Sequence, residues 1–224
     1  MIITILMPAL NEEESIGKTI AMIPFQKLKE QGYEPQVLIV DGGSIDNTVN
    51  TARSFGAEVI NSKKGYGRQY RNGFQHCRGE IIITSDSDCS YPLEEIPALL
   101  EILESENLDF ISTNRFAFME NNSMMVLNKL GNKVLTLTAN ILFNFHLKDS
   151  QSGMWVFRKE ILDKINLSSN GMALSQEIKI KAFSKCQAKQ IDSTYRKRIG
   201  KVKLRIFLDG LGNLINLFKM RFCK

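Results

Sequence analysis

Short runs that are apolar at every position alternate with amphipathic stretches along the first half of the chain. Uniformly apolar, β-branched runs are typical of strands buried on both faces of a parallel sheet, and amphipathic stretches are typical of the helices that cover it. The pattern predicts strands at 2–7, 36–40, 58–61, 81–84 and 109–113, with helices at 12–23, 48–55, 69–77 and 92–106. This alternation of strand, turn and helix predicts a doubly wound α/β fold.

The second half of the chain has a less regular pattern and ends in an amphipathic segment. We expect helices at 124–147, 162–167 and 175–182, strands at 154–157 and 190–194, and a last helix at 204–222. In that last helix the apolar residues recur every three or four positions: Leu204, Phe207, Leu208, Leu211, Leu214, Ile215, Phe218 and Phe222. Such a stripe either packs on the domain or lies in a membrane interface, and both interpretations stay open. The sequence has no run of about 20 apolar residues, so it predicts no transmembrane helix.

Acidic side chains follow two of the predicted strands at the point where each strand ends. Asp86 and Asp88 come directly after strand 81–84, and Asp41 follows strand 36–40. Ligands of open α/β sheets bind outside the carboxyl ends of the strands, and paired carboxylates suit a hard divalent cation. The alternative is a solvated turn, since Asp and Ser are common in turns. Acids at two strand ends favour a ligand site.

Composition and charge narrow the class of protein further. Of the 224 residues, 43% are hydrophobic and 24% are charged, which is ordinary for a globular domain. None of the four cysteines forms a C-x-x-C pair, and no signal-peptide pattern is visible, so we expect reduced thiols in a cytoplasmic protein. Residues 189–224 carry ten Lys/Arg against two Asp, whereas the overall net charge is +5. This basic tail predicts an anionic partner: phosphate, a membrane surface or nucleic acid.

Six short segments in a fixed order carry a family resemblance. They are Met7–Glu12, Val40–Thr48, Lys64–Gly65, Asp86–Asp88, Asp149–Gly153 and Tyr195–Lys203. With them the chain resembles family 2 glycosyltransferases of the GT-A fold, within these the dolichyl-phosphate mannose synthases and other polyprenyl-phosphate glycosyltransferases. The resemblance implies a Rossmann-like, mixed, mostly parallel sheet flanked by helices. It places a GT-A domain at 1–203 and a basic amphipathic helix at 204–224.

The resemblance also implies roles for individual residues. A nucleotide sugar would contact Pro8, Ala9, Glu12, Asp41, Gly43, Lys64, Gly65, Asp86, Ser87 and Asp88. A divalent metal, Mg²⁺ or Mn²⁺, would be held by Asp86, Asp88 and Ser90. The phosphate of the acceptor would meet Arg115, Lys129, Lys133, Ser152, Arg196, Arg198 and Lys203. The implied catalytic residues are Asp88, Arg115 and Glu177.

The chain departs from the family pattern at three positions. Gly42 stands where a second acid is common, and Ser90 stands where a glutamine is common, two residues after Asp88. The basic loop contains Gly200-Lys201-Val202-Lys203, where Gly-Glu-Ser-Lys is usual. These differences concern the metal ligands and the acceptor.

The expected activity is inverting transfer of a hexose, mannose or glucose, from a GDP- or UDP-sugar to polyprenyl or dolichyl phosphate. A lipid phosphate is already an anion and needs little help from a base, whereas a hydroxyl acceptor would need one, with Glu177 as the candidate. The alternatives are a family 2 transferase with a saccharide or other hydroxyl acceptor, and a non-catalytic module that binds anionic surfaces or nucleic acid. Nucleic acid is not expected, because no aromatic residues are interleaved with the basic ones. We expect the enzyme at the cytoplasmic face of a membrane, bound peripherally through its last helix.

Overall fold

Seven strands form one mixed sheet in the computed structural model, which describes residues 1–200 and 206–223. The strands are β1 (Ile2–Ala9), β2 (Glu34–Asp41), β3 (Glu58–Asn61), β4 (Ile81–Thr84), β5 (Phe110–Met119), β6 (Trp155–Arg158) and β7 (Ala188–Tyr195). They lie in the order β3-β2-β1-β4-β6-β5-β7. Strand β6 is antiparallel to both neighbours, β4 and β5, and the other pairs are parallel. The predicted mixed, mostly parallel α/β sheet is therefore confirmed.

Helices cover both faces of this sheet within the described residues. They are α1 (Ile16–Ala21), α2 (Phe25–Glu30), α3 (Thr48–Ser54), α4 (Tyr66–His76), α5 (Ile96–Ser105), α6 (Val126–Phe143), α7 (Ile161–Lys164), α8 (Leu174–Lys185) and α9 (Ile206–Phe222). Helix α5 is preceded by a 3₁₀ turn, Leu93–Glu95. Helix α2 was not predicted from the sequence, and it begins directly after Pro24.

Two predicted helices are shorter than the sequence pattern suggests. Helix α1 starts at Ile16 and not at residue 12, because the backbone N–H of Glu12 donates to Thr48 Oγ1 at 2.7 Å and ties this segment to the start of α3. Helix α6 ends at Phe143 and not at residue 147, because Asn144 adopts a left-handed conformation with φ 56°. A left-handed residue is a common helix stop.

The position of β4 in the centre of the sheet explains why Ile81, Ile82 and Ile83 are all apolar. Ile81 and Ile83 belong to the core on one face of the sheet, and Ile82 belongs to the core on the other face. All three side chains are fully buried. Burial of each contributes about 2–3 kcal/mol to stability. The strand is therefore fixed from both sides, and its carboxyl end is held at a defined place.

A third, smaller core joins helix α9 to the rest of the molecule. Leu217 of α9 packs with Leu135 and Ala139 of α6 and with Ile180 of α8. Leu217 is fully buried. One face of α9 therefore packs on the domain, through a residue outside the predicted stripe. Of the stripe itself, Leu214 is partly buried against this core, whereas Leu208, Leu211, Ile215, Phe218 and Phe222 are exposed. The predicted helix start at Leu204 lies outside the described residues.

Candidate functional site

A cavity of about 760 Å³ opens at the carboxyl ends of β1 and β4 and beside β5. The strand order reverses between β1 and β4, which is where open α/β sheets form their ligand crevice. Ten of the residues singled out in the sequence line this cavity: Pro8, Ala9, Glu12, Lys64, Gly65, Asp86, Ser87, Asp88, Arg115 and Arg198. Residues from five separate parts of the chain thus meet at one edge of the sheet.

The turn after β4 holds Asp86 and Asp88 in place through a set of short hydrogen bonds. Ser87 Oγ donates to the Pro8 carbonyl at 3.0 Å, and Ser15 Oγ donates to the Ser87 carbonyl at 2.9 Å. Ser90 donates to Asp88 Oδ1 from its backbone N–H at 3.0 Å and from its Oγ at 2.5 Å. The turn is therefore tied to β1, to the segment before α1 and to its own next residues.

This arrangement corrects the assignment of Ser90 as a metal ligand. Ser90 is fully buried and does not line the cavity. Its hydroxyl orients Asp88 Oδ1, which leaves Asp88 Oδ2 directed toward other partners. The structure thus supports Ser90 as a residue that positions Asp88.

The carboxylates of Asp86 and Asp88 concentrate negative charge in a poorly hydrated place. Burial and the neighbouring Asp88 raise the pKa of Asp86 to about 7. A cation in this position would relieve that repulsion, and carboxylate oxygens are the ligands that Mg²⁺ and Mn²⁺ prefer. The pair therefore fits a divalent metal. No cluster of three or more His, Cys, Asp or Glu side chains suited to a metal occurs in the described part of the chain, so further ligands would come from substrate or water.

Arg115 is fixed by a buried, bidentate ion pair. Its Nε lies 2.7 Å from Asp149 Oδ2 and its Nη2 lies 3.0 Å from Asp149 Oδ1. Its guanidinium carbon lies 5.3 Å from the ring centre of Tyr195. Burial alone would raise the pKa of Asp149, but the charge and hydrogen bonds of Arg115 lower that pKa to about 2. Arg115 is therefore held as a permanent cation at the cavity wall.

The first turn of α4, which follows the glycine-rich loop, packs directly on the loop that precedes α8. The backbone N–H of Arg68 donates to the Asn170 carbonyl at 3.2 Å. A Cβ on Gly67 would lie 2.3 Å from the Ser169 carbonyl oxygen, far inside van der Waals contact. Only glycine fits at this position. The close contact sets the position of Lys64 and Gly65 in the cavity wall.

Glu177 supports that loop and does not line the cavity. Its carboxylate accepts hydrogen bonds from the backbone N–H groups of Ser168 (2.9 Å) and Ser169 (2.8 Å), and Lys181 Nζ lies 2.6 Å away. The side chain is 1% exposed. The prediction that Glu177 acts as a base is therefore corrected: its geometry assigns it to the support of residues 168–170.

Asp41 and Gly43 also lie beside the cavity and do not line it. Asp41 Oδ2 accepts hydrogen bonds from the N–H groups of Gly43 (2.9 Å) and Ser44 (3.0 Å), which shapes the turn after β2. Gln69, which was not singled out in the sequence, does line the cavity. Its Nε2 donates to the carbonyls of Ala9 and Val40 and joins the ends of β1 and β2.

The residues predicted to meet the acceptor phosphate are not all brought together. Arg115 and Arg198 line the cavity, but Arg196 pairs with Glu94, and Ser152 is buried with its hydroxyl 2.7 Å from that of Thr113. Lys129 and Lys133 are exposed on α6 and do not line the cavity. Lys203 lies outside the described residues. Of the described residues among these seven, Arg115 and Arg198 are therefore the two that line the cavity.

One wall of the cavity comes from α6 and α9 and was missed in the sequence. It includes Asn128, Asn132, Asp209 and Asn213. Asn213 Nδ2 donates to Gln151 Oε1 at 3.0 Å, which links α9 to the Asp149–Gly153 segment. These residues lie on the polar side of amphipathic helices, and the sequence pattern does not distinguish them from residues facing solvent.

A larger groove of about 1150 Å³ lies near the amino end of β4, away from the acidic pair. Three of its arginines already have partners: Arg71 donates to the Ser168 carbonyl, Arg78 pairs with Glu58 and Arg158 pairs with Glu104. Among the residues that the structure describes, none of those singled out in the sequence lines this groove, so it is the weaker candidate site.

A doubly wound α/β fold with an Asp-x-Asp turn at its switch point defines a protein of the GT-A class, and comparison with known proteins identifies the family. The family described as Glycosyl transferase family 2 matches residues 4–166, and the chain belongs to it. The resemblance found in the sequence is thereby confirmed.

Relatives and solved structures agree with this assignment. The chain is 33% identical to the low-salt glycan biosynthesis hexosyltransferase Agl6 of Haloferax volcanii, over 93% of this chain and 51% of the relative. It is 30% identical to the dolichyl-phosphate hexose transferase of the same organism, over 93% of this chain and 89% of the relative. The chain thus spans about half of one relative and most of the other.

Comparison with solved structures shows the same fold. Glucosyl-3-phosphoglycerate synthase from Mycobacterium tuberculosis, in a complex with Mn²⁺, UDP-glucose and phosphoglyceric acid, superposes with a TM-score of 0.77. The match covers 98% of this chain and 79% of that one, at 21% identity. At that identity the likeness shows the shared fold.

Proposed function

We propose that this chain is an inverting, metal-dependent hexosyltransferase that moves mannose or glucose from a GDP- or UDP-sugar to a polyprenyl or dolichyl phosphate. The observation that carries the proposal is the position of Asp86 and Asp88 in a cavity at the switch point of the sheet. A relative named dolichyl-phosphate hexose transferase, of which the chain spans 89%, supports the acceptor.

The donor would bind at the β1 and β4 end of the cavity. Asp86 and Asp88 would hold Mg²⁺ or Mn²⁺, which would neutralise the nucleoside diphosphate as it leaves. Lys64 adds a cation at the same wall, and Gly65 lets the backbone approach closely. Departure of the diphosphate leaves positive charge on the hexose, as in an oxocarbenium ion, and attack from the opposite face inverts the anomeric carbon.

The acceptor side of the cavity favours an anion over a neutral hydroxyl compound. Arg115 and Arg198 both line the cavity, and Arg115 is buried and permanently charged. A phosphate oxygen attacks without loss of a proton, so it needs no general base. Glu177, the candidate base for a hydroxyl acceptor, is occupied by Ser168, Ser169 and Lys181.

Two adjacent helices supply the surface that would meet the membrane. On α6 the exposed apolar residues are Val126, Leu127, Leu130, Val134, Leu137 and Ile141, and on α9 they are Leu208, Leu211, Ile215, Phe218 and Phe222. Their basic neighbours are Lys129, Lys133, Lys219 and Arg221. Apolar stripes with basic neighbours suit the interface of an anionic bilayer. We place the enzyme on the cytoplasmic face of such a membrane, with one face of α9 on the domain and the other on lipid.

None of the helices in the described part of the chain is both long and apolar enough to cross a membrane.

The donor site can be tested by binding and turnover of GDP- and UDP-hexoses with Mn²⁺ or Mg²⁺, and again with a chelator. We expect one donor class to bind in a metal-dependent way, with loss of more than a hundredfold in turnover for Asp88→Asn. Asp163→Asn is the matched control, because Asp163 is an exposed carboxylate outside this cavity. Donor binding that is equal in Asp88→Asn and the wild type would overturn the assignment.

A further inference from the structure

The guanidinium of Arg198 contacts Asp88 Oδ2, the carboxylate oxygen that does not accept from Ser90. Its Nη2 lies 3.1 Å from Asp88 Oδ2 and 3.7 Å from Glu12 Oε1. The other oxygen of Asp88 accepts from Ser90. Both oxygens of Asp88 are therefore engaged by the protein, and the one that faces the cavity is neutralised by a guanidinium.

The backbone determines this position of Arg198. The N–H of Arg196 donates to the Ser90 carbonyl at 2.9 Å, and the N–H of Ile199 donates to the Asp88 carbonyl at 2.9 Å. The segment 196–200, which follows β7, is thus clamped to the turn that carries the acidic pair. At its end, Gly200 has φ +88°, and a Cβ there would lie 3.3 Å from Glu12 Oε2.

The arginine is held, but its hydrogen bonding is incomplete. Its Nε is buried and has no hydrogen-bond partner among the residues that the structure describes. A group that gives up few hydrogen bonds on leaving is easily exchanged for a better partner. A divalent cation carries twice the charge of a guanidinium and approaches carboxylate oxygens at about 2.1 Å. The metal would therefore outcompete Arg198 for Asp88 Oδ2.

We propose that Arg198 is a built-in counter-cation of Asp88 and that the divalent metal displaces its guanidinium when it binds. Loss of this side-chain contact then weakens the two backbone hydrogen bonds that hold segment 196–200 on the acidic turn. The inference rests on the metal site of the proposed function. In this arrangement, metal binding is coupled to the position of a basic segment in the cavity wall. A cation is then present at Asp88 in both states of the site.

Equilibrium binding of Mn²⁺, followed by the electron paramagnetic resonance signal of the free ion, measures the competition directly, without and with GDP or UDP. A partly exposed ion pair contributes about 1 kcal/mol, which corresponds to roughly a fivefold change in affinity. We therefore expect Arg198→Gln to bind Mn²⁺ three- to tenfold more tightly than the wild type. Arg196→Gln is the matched control, since it removes the same charge from the same segment. In the wild type Arg196 pairs with Glu94, which lies outside the cavity. The affinity of this control variant should stay within twofold, and Asp88→Asn should lose binding.

Limited trypsin digestion of the wild type gives a second readout that needs no variant. Lys197 lies in the clamped segment, and we expect saturating Mn²⁺ to accelerate cleavage there at least threefold. The inference is overturned if Arg198→Gln binds Mn²⁺ like Arg196→Gln or more weakly, or if Mn²⁺ does not change cleavage. Absence of Mn²⁺ binding in the wild type, with and without nucleotide, would overturn the metal site itself and this inference with it.

Discussion

The ion pair between Arg115 and Asp149 makes a prediction that does not depend on knowledge of the substrate. Replacement of Asp149 by Asn keeps the size of the side chain and leaves the guanidinium of Arg115 buried without its counter-ion. Breaking a buried pair on one side typically costs 3–5 kcal/mol. We expect Asp149→Asn to lower the free energy of unfolding by about that amount, measured by urea denaturation at pH 7.

The pKa of Asp149 gives an independent estimate and a pH window. The pKa falls from an ordinary 3.8 to about 2 in the folded protein, through the charge and hydrogen bonds of Arg115, which outweigh burial. Each unit of pKa difference corresponds to about 1.4 kcal/mol, so ionisation of Asp149 contributes about 2 kcal/mol. A lowered carboxylate pKa stabilises the fold above the unfolded value. This stability is present above about pH 4 and is lost as pH falls toward 2.

Comparison of Asp149→Asn with the wild type and with a double variant tests this prediction further. The stability of Asp149→Asn should fall less steeply than that of the wild type between pH 4 and pH 2, by about 2 kcal/mol in total. The double variant Arg115→Gln with Asp149→Asn should be at least 2 kcal/mol more stable than the sum of the single changes predicts. A loss of less than 1 kcal/mol in Asp149→Asn, or additive effects in the double variant, would show that the ion pair does not stabilise the fold in this way.

Two further predictions concern the loop support and the membrane face. Glu177→Ala should raise the KM for the nucleotide sugar several-fold with kcat within threefold, because it removes the acceptor for Ser168 and Ser169. Glu177→Gln should recover part of the loss, and a hundredfold fall in kcat at unchanged KM would instead restore a catalytic role. The pair Leu211→Ser with Phe218→Ser should weaken binding to anionic vesicles more than tenfold, since each buried apolar side chain contributes about 1.5–3 kcal/mol. Phe55→Ser is the control, as Phe55 is equally exposed elsewhere, at 48% against 46% for Phe218; equal vesicle binding of all variants would contradict the proposed face.

The fold could be predicted from the sequence where the hydrophobic pattern of a segment is compatible with only one kind of secondary structure. The run Ile81–Ile83 is apolar at every position because both sheet faces at β4 are buried, and this made its place in the sheet predictable. Helix α2 has only six residues, and Leu28 is its one buried residue, so it left little periodicity to detect.

Site residues could be predicted where a polar side chain directly follows the end of a strand. They could not be predicted where the role of a side chain depends on a contact with a distant part of the chain. Asp86 and Asp88 follow directly from the end of β4. The function of Glu177 depends on a loop eight or nine residues earlier folding back on its carboxylate. Asn213 looks like a solvent-facing residue until α9 packs on the domain and turns it toward Gln151. Such placements are decided by tertiary packing, which periodicity does not report.

The proposed acceptor is a lipid phosphate, and one comparison of acceptors tests this directly. Transfer of labelled hexose is measured with a polyprenyl phosphate and with the matching polyprenol, which carries a hydroxyl in place of the phosphate, in the presence of Mn²⁺. We expect metal-dependent transfer to the phosphate to be at least a thousandfold faster than transfer to the alcohol. Equal transfer to both lipids, or transfer to a saccharide hydroxyl with none to the polyprenyl phosphate, would contradict it.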